Sequence, residues 1–220
     1  EFISCAAGME LKMKFVQKWS YACANHFASV MNETHQKRAV YYYGLYIVIG
    51  TLIKGVILVA SALLLGTLIP SLLIVFIFGT MRMLAGGYHM DTYGKCLFVS
   101  LVLYITLGLI TQYTYQYWNY VHIKILIAAT FISGLYVLVR YAPKDTPNKP
   151  ITDPQQIRKY KILSLIYLLV WLIVSIMLAI FELNMYVIAL SFGILLELFA
   201  ITPTGHRFFD KINVALCNIL

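Results

Sequence analysis

The stretch LIPSLLIVFIFGTMRMLAGGYHMDTYGKCLFVSLVLYITLGLITQ, residues 68–112, decides the fold. It holds two apolar runs that carry no charge, separated by the polar segment from Arg82 to Cys96. A helix needs about 20 largely apolar residues to cross the hydrocarbon core of a bilayer, and both runs approach that length. The polar segment gathers two adjacent glycines, a histidine, a cysteine and charges of both signs. Two membrane spans joined by a chemically equipped connection are the expectation.

Composition extends this reading to the whole chain. Of 220 residues, 61% are hydrophobic and 12% charged, with a mean hydropathy of +0.79. Soluble domains carry about 25% charged residues, and no polar stretch here is long enough to fold alone. Six candidate spans follow: Gly44–Gly66, Leu68–Leu84, Leu97–Gln116, Val121–Tyr141, Ile162–Phe181 and Met185–Ile201. The second and sixth are short, which admits partly re-entrant segments and, as an alternative, four full spans. The expected fold class is an all-α membrane protein of six transmembrane helices.

The net charge of +8 would suggest nucleic acid in a soluble protein, but no arginine-aromatic RNA-binding pattern accompanies it. It reads instead as topology and attraction to an anionic membrane surface. Under six spans, the N-terminus, the 82–95 loop, the 140–161 loop and the C-terminus lie on one side. They hold Lys12, Lys14, Lys18, Lys37, Arg38, Arg82, Lys95, Arg140, Lys144, Lys149, Arg158, Lys159, Lys161, Arg207 and Lys211, fifteen of the seventeen basic residues. The opposite loops hold none. The positive-inside rule then puts both termini and the opening stretch in the cytoplasm.

Upstream, Val16, Trp19, Cys23, Phe27 and Val30 recur at three and four, with Lys14, Lys18, Tyr21, Asn25 and Asn32 opposite. This pattern predicts an amphipathic helix over 9–38, either lying in the membrane interface or packed against the spans. Met9 could be the natural start, which makes residues 1–8 a cloning remnant. Residues 39–220 form the six-helix transmembrane domain.

His89 and Cys96 are seven residues apart. On a straight helix that spacing separates them by about 10 Å of rise, too far for a nucleophile and its base. They can cooperate only if the backbone between them turns, and Gly86, Gly87 and Gly94 permit that. Cys96 then stands at or just before the third span, where a helix N-terminus and Lys95 favour a thiolate. A protonated His89 would favour it further. A packed cysteine and an interfacial histidine are the plainer readings, and spacing leaves them open. Asp91 could orient the imidazole or simply shape a turn. Cys5, Cys23, Cys96 and Cys217 form no CxxC pair, which argues against a zinc site or a disulfide framework. His26, His35, His122 and His206 show no metal-ligand spacing, and no cofactor is implied.

Arg82, Gly86-Gly87-Tyr88-His89 and Cys96 together resemble the active-site signature of the accessory gene regulator B (AgrB) family. Ala142-Pro143-Lys144-Asp145-Thr146-Pro147-Asn148-Lys149-Pro150-Ile151 is similar to that family's cytoplasmic loop after the fourth span. The resemblance implies a membrane cysteine endopeptidase that matures a quorum-sensing peptide precursor. Cys96 would be the nucleophile and His89 the general base. Arg82 would serve charge pairing or substrate positioning, and Gly87, with Gly86, loop geometry. The implied partner is a precursor with an amphipathic leader, a cysteine-containing core and an acidic C-terminal tail. Lys144, Lys149, Arg158, Lys159 and Lys161 are candidate contacts for that tail. The bilayer is a second partner, a homodimer stays open, and nucleic acid is not expected. The rival reading is a non-enzymatic transporter or peptide exporter, for which Lys54 and Glu197, charges inside the first and last runs, could pair within a pathway.

Overall fold

The computed structural model describes residues 14–31, 35–88, 90–144 and 153–219. Residues 1–13, with the expected remnant and the first turn of the amphipathic segment, lie outside them. The described residues are almost wholly helical: α1 Lys14–Val30, α2 His35–Leu64, α3 Leu68–Ala85, α4 Tyr93–Thr114, α5 Tyr120–Tyr141, α6 Pro154–Ile180, α7 Asn184–Ile201 and α8 Pro203–Ile219. A 3-10 turn, Tyr115–Tyr117, extends α4.

Six of these segments are long and apolar enough to cross a membrane: Lys37–Leu64, Leu68–Ala85, Tyr93–Tyr117, Tyr120–Tyr141, Pro154–Ile180 and Asn184–Ile201. The two short spans are uninterrupted helices of 18 residues each, about 27 Å long, so neither is broken by a re-entrant turn. Other spans run past their apolar cores. The fifth begins eight residues earlier than hydropathy suggests, because Asp153 caps it by accepting from the Gln155 amide at 2.9 Å, with Pro154 in the first turn. Hydropathy marks where a helix meets hydrocarbon, whereas caps mark where it starts.

The chain divides into two compact units: residues 1–60, 90–101 and 213–220, and residues 61–89 and 102–212. In the second unit α7 is the central helix, packed by α3, α5 and α6. Sixty-one percent of its spanning window is buried, against 17–33% for the other spans. Ile77, Met81, Ile127, Leu168, Ile188, Ile194 and Leu198 form its apolar core. Small residues set the approach of the helices, as expected where lipid offers no hydrophobic drive. A Cβ on Gly193 of α7 would lie 2.9 Å from Ile77 Cβ of α3. Outward-facing positions such as Phe76, Ile132 and Ile173 are large, apolar and exposed, which suits hydrocarbon as solvent.

In the first unit, α1 divides its faces differently from the expected stripe. Trp19, Phe27 and Val30 of the predicted apolar stripe are exposed, whereas the small residues Ser20, Ala24 and Ala28 are buried. Tyr21, read as part of the polar face, joins an aromatic column. It stands edge-on to Tyr42 at 6.2 Å, Tyr42 stacks on Tyr46 at 6.2 Å, and Tyr46 meets Tyr93 edge-on at 6.1 Å. The C-terminal helix α8 has no counterpart among the expected spans. It is amphipathic and not uniformly apolar, and only its end from Asn213 onward belongs to this unit.

Candidate active site

α3 ends at Ala85 and α4 begins at Tyr93, so the connection is not a continuous helix. The Gly86 amide donates to the Arg82 carbonyl at 3.0 Å and closes the last turn of α3. Gly86 and Gly87 then take φ values of +77° and +141°, which side chains disfavour. Gly86 forms an isolated parallel β-bridge with Lys144, whose amide donates to the Ala85 carbonyl at 2.8 Å. A Cβ on Gly86 would collide with the Lys144 carbonyl. The two stretches that carry the sequence signatures therefore meet, backbone to backbone, in the second unit.

Arg82 organises the exit from this bridge. Its guanidinium donates to the Tyr88 carbonyl, lies over the Phe78 ring at 5.4 Å, and pairs with Glu197 of α7 at 3.8 Å. Glu197, expected as a partner for Lys54, thus has Arg82 as its charge partner. The Tyr88 amide donates to the Ala200 carbonyl at 3.2 Å, and its ring stacks on Phe209 of α8 at 5.4 Å. His206 of α8 stands edge-on to the same ring at 5.3 Å. Burial, assisted by the positive charges of Lys144 and Arg82 and opposed by Asp210, lowers the His206 pKa below the usual imidazole value.

In the first unit, Cys96 is the fourth residue of α4, half-buried, with its amide donating to the Thr92 carbonyl at 3.1 Å. It stands within the first turn of the helix and not ahead of it, because Tyr93, Gly94 and Lys95 are already helical. Gly94 therefore supplies no turn. Tyr93 anchors this first turn by donating its hydroxyl to the Gly50 carbonyl of α2. Lys95, 3% exposed, sends its ammonium to the Asn213 carbonyl at 3.0 Å and to Cys217 Sγ at 3.2 Å. Asn213 in turn donates to the Asp91 carboxylate. Cys23 and Cys96 are free cysteines. Cys217 is disulfide-bonded.

His89 and Lys149 lie outside the described residues. Arg158 and Lys159 are exposed on the first turns of α6, while Lys161 donates to the Val139 carbonyl. The sequence reading missed the Arg82–Glu197 pair, the Tyr88 clamp and the Tyr93 anchor. A buried acid in the last apolar run was the one signal available for the first of them.

Comparison with known proteins adds a family. The model of the accessory gene regulator B family (AgrB) matches residues 20–201. The chain is 23% identical over 206 residues to "Putative AgrB-like protein 2" of Clostridium perfringens strain 13, covering 90% of this chain and 96% of that protein. It is 24% identical over 163 residues to "Putative AgrB-like protein" of C. perfringens strain SM101, covering 74% and 76% respectively. No solved structure matches the chain. With six helices long and apolar enough to cross a membrane and a family match that encloses all six, the chain is a multi-pass membrane protein that belongs to the accessory gene regulator B family and so to agr-type quorum sensing.

Proposed function

We propose that this chain is a membrane cysteine endopeptidase that cuts an autoinducing-peptide precursor between its core and its acidic C-terminal tail. The observation carrying the reading is the family match over residues 20–201, which encloses Arg82, the Gly86–His89 run and Cys96. A free cysteine in the first turn of a membrane helix is compatible with it. Cys96 gives its proton to His89 and attacks the scissile carbonyl carbon. The amide C–N bond breaks, His89 returns the proton to the leaving tail amine, and a thioester links the core to Cys96. The precursor's own cysteine thiolate then attacks this thioester, closing a thiolactone and releasing Cys96. Thioester exchange is nearly balanced in energy, so the amide-to-thioester step is the demanding one and departure of the tail drives it.

In this reading the protein sits in a bacterial cell membrane with both termini and the site at the cytoplasmic face. The charge asymmetry of the loops supports that orientation. Lys144, Lys149, Arg158, Lys159 and Lys161 attract the acidic tail, and the bilayer presents the amphipathic leader. The test is intact mass spectrometry of the lipid-reconstituted protein mixed with precursor peptide. An acyl adduct on Cys96, absent from Cys96→Ala, is expected; an adduct on Cys23 overturns the assignment. His89→Ala should fold yet fail to cleave near neutral pH.

A further inference from the structure

Glu197 is the anomaly of the second unit. Its side chain is fully buried on the most enclosed span, where a carboxylate is costly unless paired and hydrogen-bonded. It has a charge partner but no hydrogen bond among the described residues: both oxygens lack a donor, and Arg82 stands off at 3.8 Å. For packing alone, an apolar side chain of similar volume would serve as well or better. The peptidase chemistry does not call on it either.

What surrounds Glu197 gives it a use. Gly87 runs so close that a Cβ there would lie 3.1 Å from Glu197 Oε1 and 3.5 Å from Arg82 Nη1. The same guanidinium donates to the Tyr88 carbonyl. That carbonyl shares a rigid peptide plane with the nitrogen of residue 89. The Tyr88 amide is held from the other side by Ala200, three residues beyond Glu197 on α7. Both backbone groups of Tyr88 are therefore tied, one to α7 directly and one through Arg82.

We propose that Glu197 is a positioning residue: it holds the Arg82 guanidinium against the Tyr88 carbonyl and so fixes the backbone that delivers His89, an assignment that rests on the endopeptidase reading. Its charge acts through Arg82 and touches no reacting atom. Removing the charge while keeping the shape should leave precursor binding intact and slow the chemical step.

Glu197→Gln, Glu197→Asp, Arg82→Gln and the Arg82→Gln/Glu197→Gln double variant are compared in lipid with the parent protein. Precursor cleavage gives kcat and KM, and hydrogen–deuterium exchange follows the peptide spanning residues 83–92. Glu197→Gln is expected to lower kcat by about tenfold or more, since small displacements of a catalytic group cost that much, with KM within about twofold of the parent. Exchange in 83–92 should rise while the rest of the chain is unchanged. Glu197→Asp should recover part of the rate, and the double variant should be no slower than Arg82→Gln. A folded Glu197→Gln that cleaves within about twofold of the parent overturns the proposal. So does a loss accompanied by raised exchange throughout the chain and no recovery in Glu197→Asp, which marks a merely structural role. If the parent shows no Cys96-dependent cleavage, the endopeptidase reading falls, and exchange alone decides: a selective rise in 83–92 sustains Glu197 as the organiser of this loop, and no rise refutes it.

Discussion

Gly87 passes tightly beside Glu197: a Cβ on the glycine would stand 3.1 Å from the carboxylate's Oε1, so the carboxylate would have to give by a few tenths of an ångström. Its φ of +141° adds a second constraint, because an L side chain held in such a conformation costs about 1–3 kcal/mol. Both effects fall on the strand of backbone between the Gly86–Lys144 bridge and Tyr88. Gly87→Ala should therefore retain six helices by circular dichroism and lose cleavage by at least about tenfold, the equivalent of 1.4 kcal/mol. Cleavage at the parent rate would mean that this backbone is not part of the site.

A glycine of another kind holds the core of the same unit. A Cβ at Gly193 would meet Ile77 Cβ at 2.9 Å and the Ile74 carbonyl at 3.0 Å, and neither atom belongs to a flexible side-chain end. Gly193→Ala gains about 1 kcal/mol of helix propensity, but separating α3 from α7 costs about 1–3 kcal/mol. The clash should win, lowering the thermal midpoint in detergent. A raised midpoint would show that α3 can withdraw without loss.

The spans were legible because lipid makes a simple demand: long, apolar, uncharged runs. All six emerged from hydropathy, with ends displaced where a cap or a polar helical turn lies beyond the hydrocarbon, as at Asp153 and Tyr93. The helix α8 is no span for the converse reason: Phe209, Ile212 and Leu216 recur at three and four, a periodicity that marks an amphipathic helix and that a search for uniformly apolar runs passes over. At the site, the local features could be read: a glycine break after α3 and a cysteine near the start of α4. The partners could not. Arg82 and Glu197 are 115 positions apart (197 − 82), and nothing in residue type says that Glu197 faces Arg82 instead of Lys54. The Gly86–Lys144 bridge likewise joins two stretches whose sequences carry no pairing code.

Exposure separates the basic residues that could meet an acidic tail from those engaged elsewhere. Arg158 and Lys159 are exposed on α6, whereas Lys95 is buried against α8. Arg158→Glu/Lys159→Glu should raise the KM for a precursor several-fold with kcat little changed, because the attraction acts on binding and not on the acyl transfer. Added salt should raise the parent's KM toward that of the variant, as screening weakens exposed charge contacts. A salt-independent KM, or a KM unaffected by the double substitution, would remove these residues from tail recognition.

His206 ties stability to pH. Burial and the nearby Lys144 and Arg82 charges keep its folded-state pKa below the usual value near 6.5, with Asp210 opposing them. The unfolded chain therefore binds the proton more readily than the folded one. The stabilisation from a neutral His206 is present above about pH 6.5 and is lost as pH falls through the lower folded value. The ring stands edge-on to Tyr88, and its Nε2 is buried without a hydrogen-bond partner among the described residues, so protonation would place a poorly compensated charge between α8 and the Tyr88 clamp. Acidifying from pH 7.5 to 5 should lower the thermal midpoint of the parent protein in detergent. His206→Phe, which keeps the edge contact and cannot take a proton, should show a shallower fall. Equal pH slopes for parent and variant would assign the acid sensitivity to other groups.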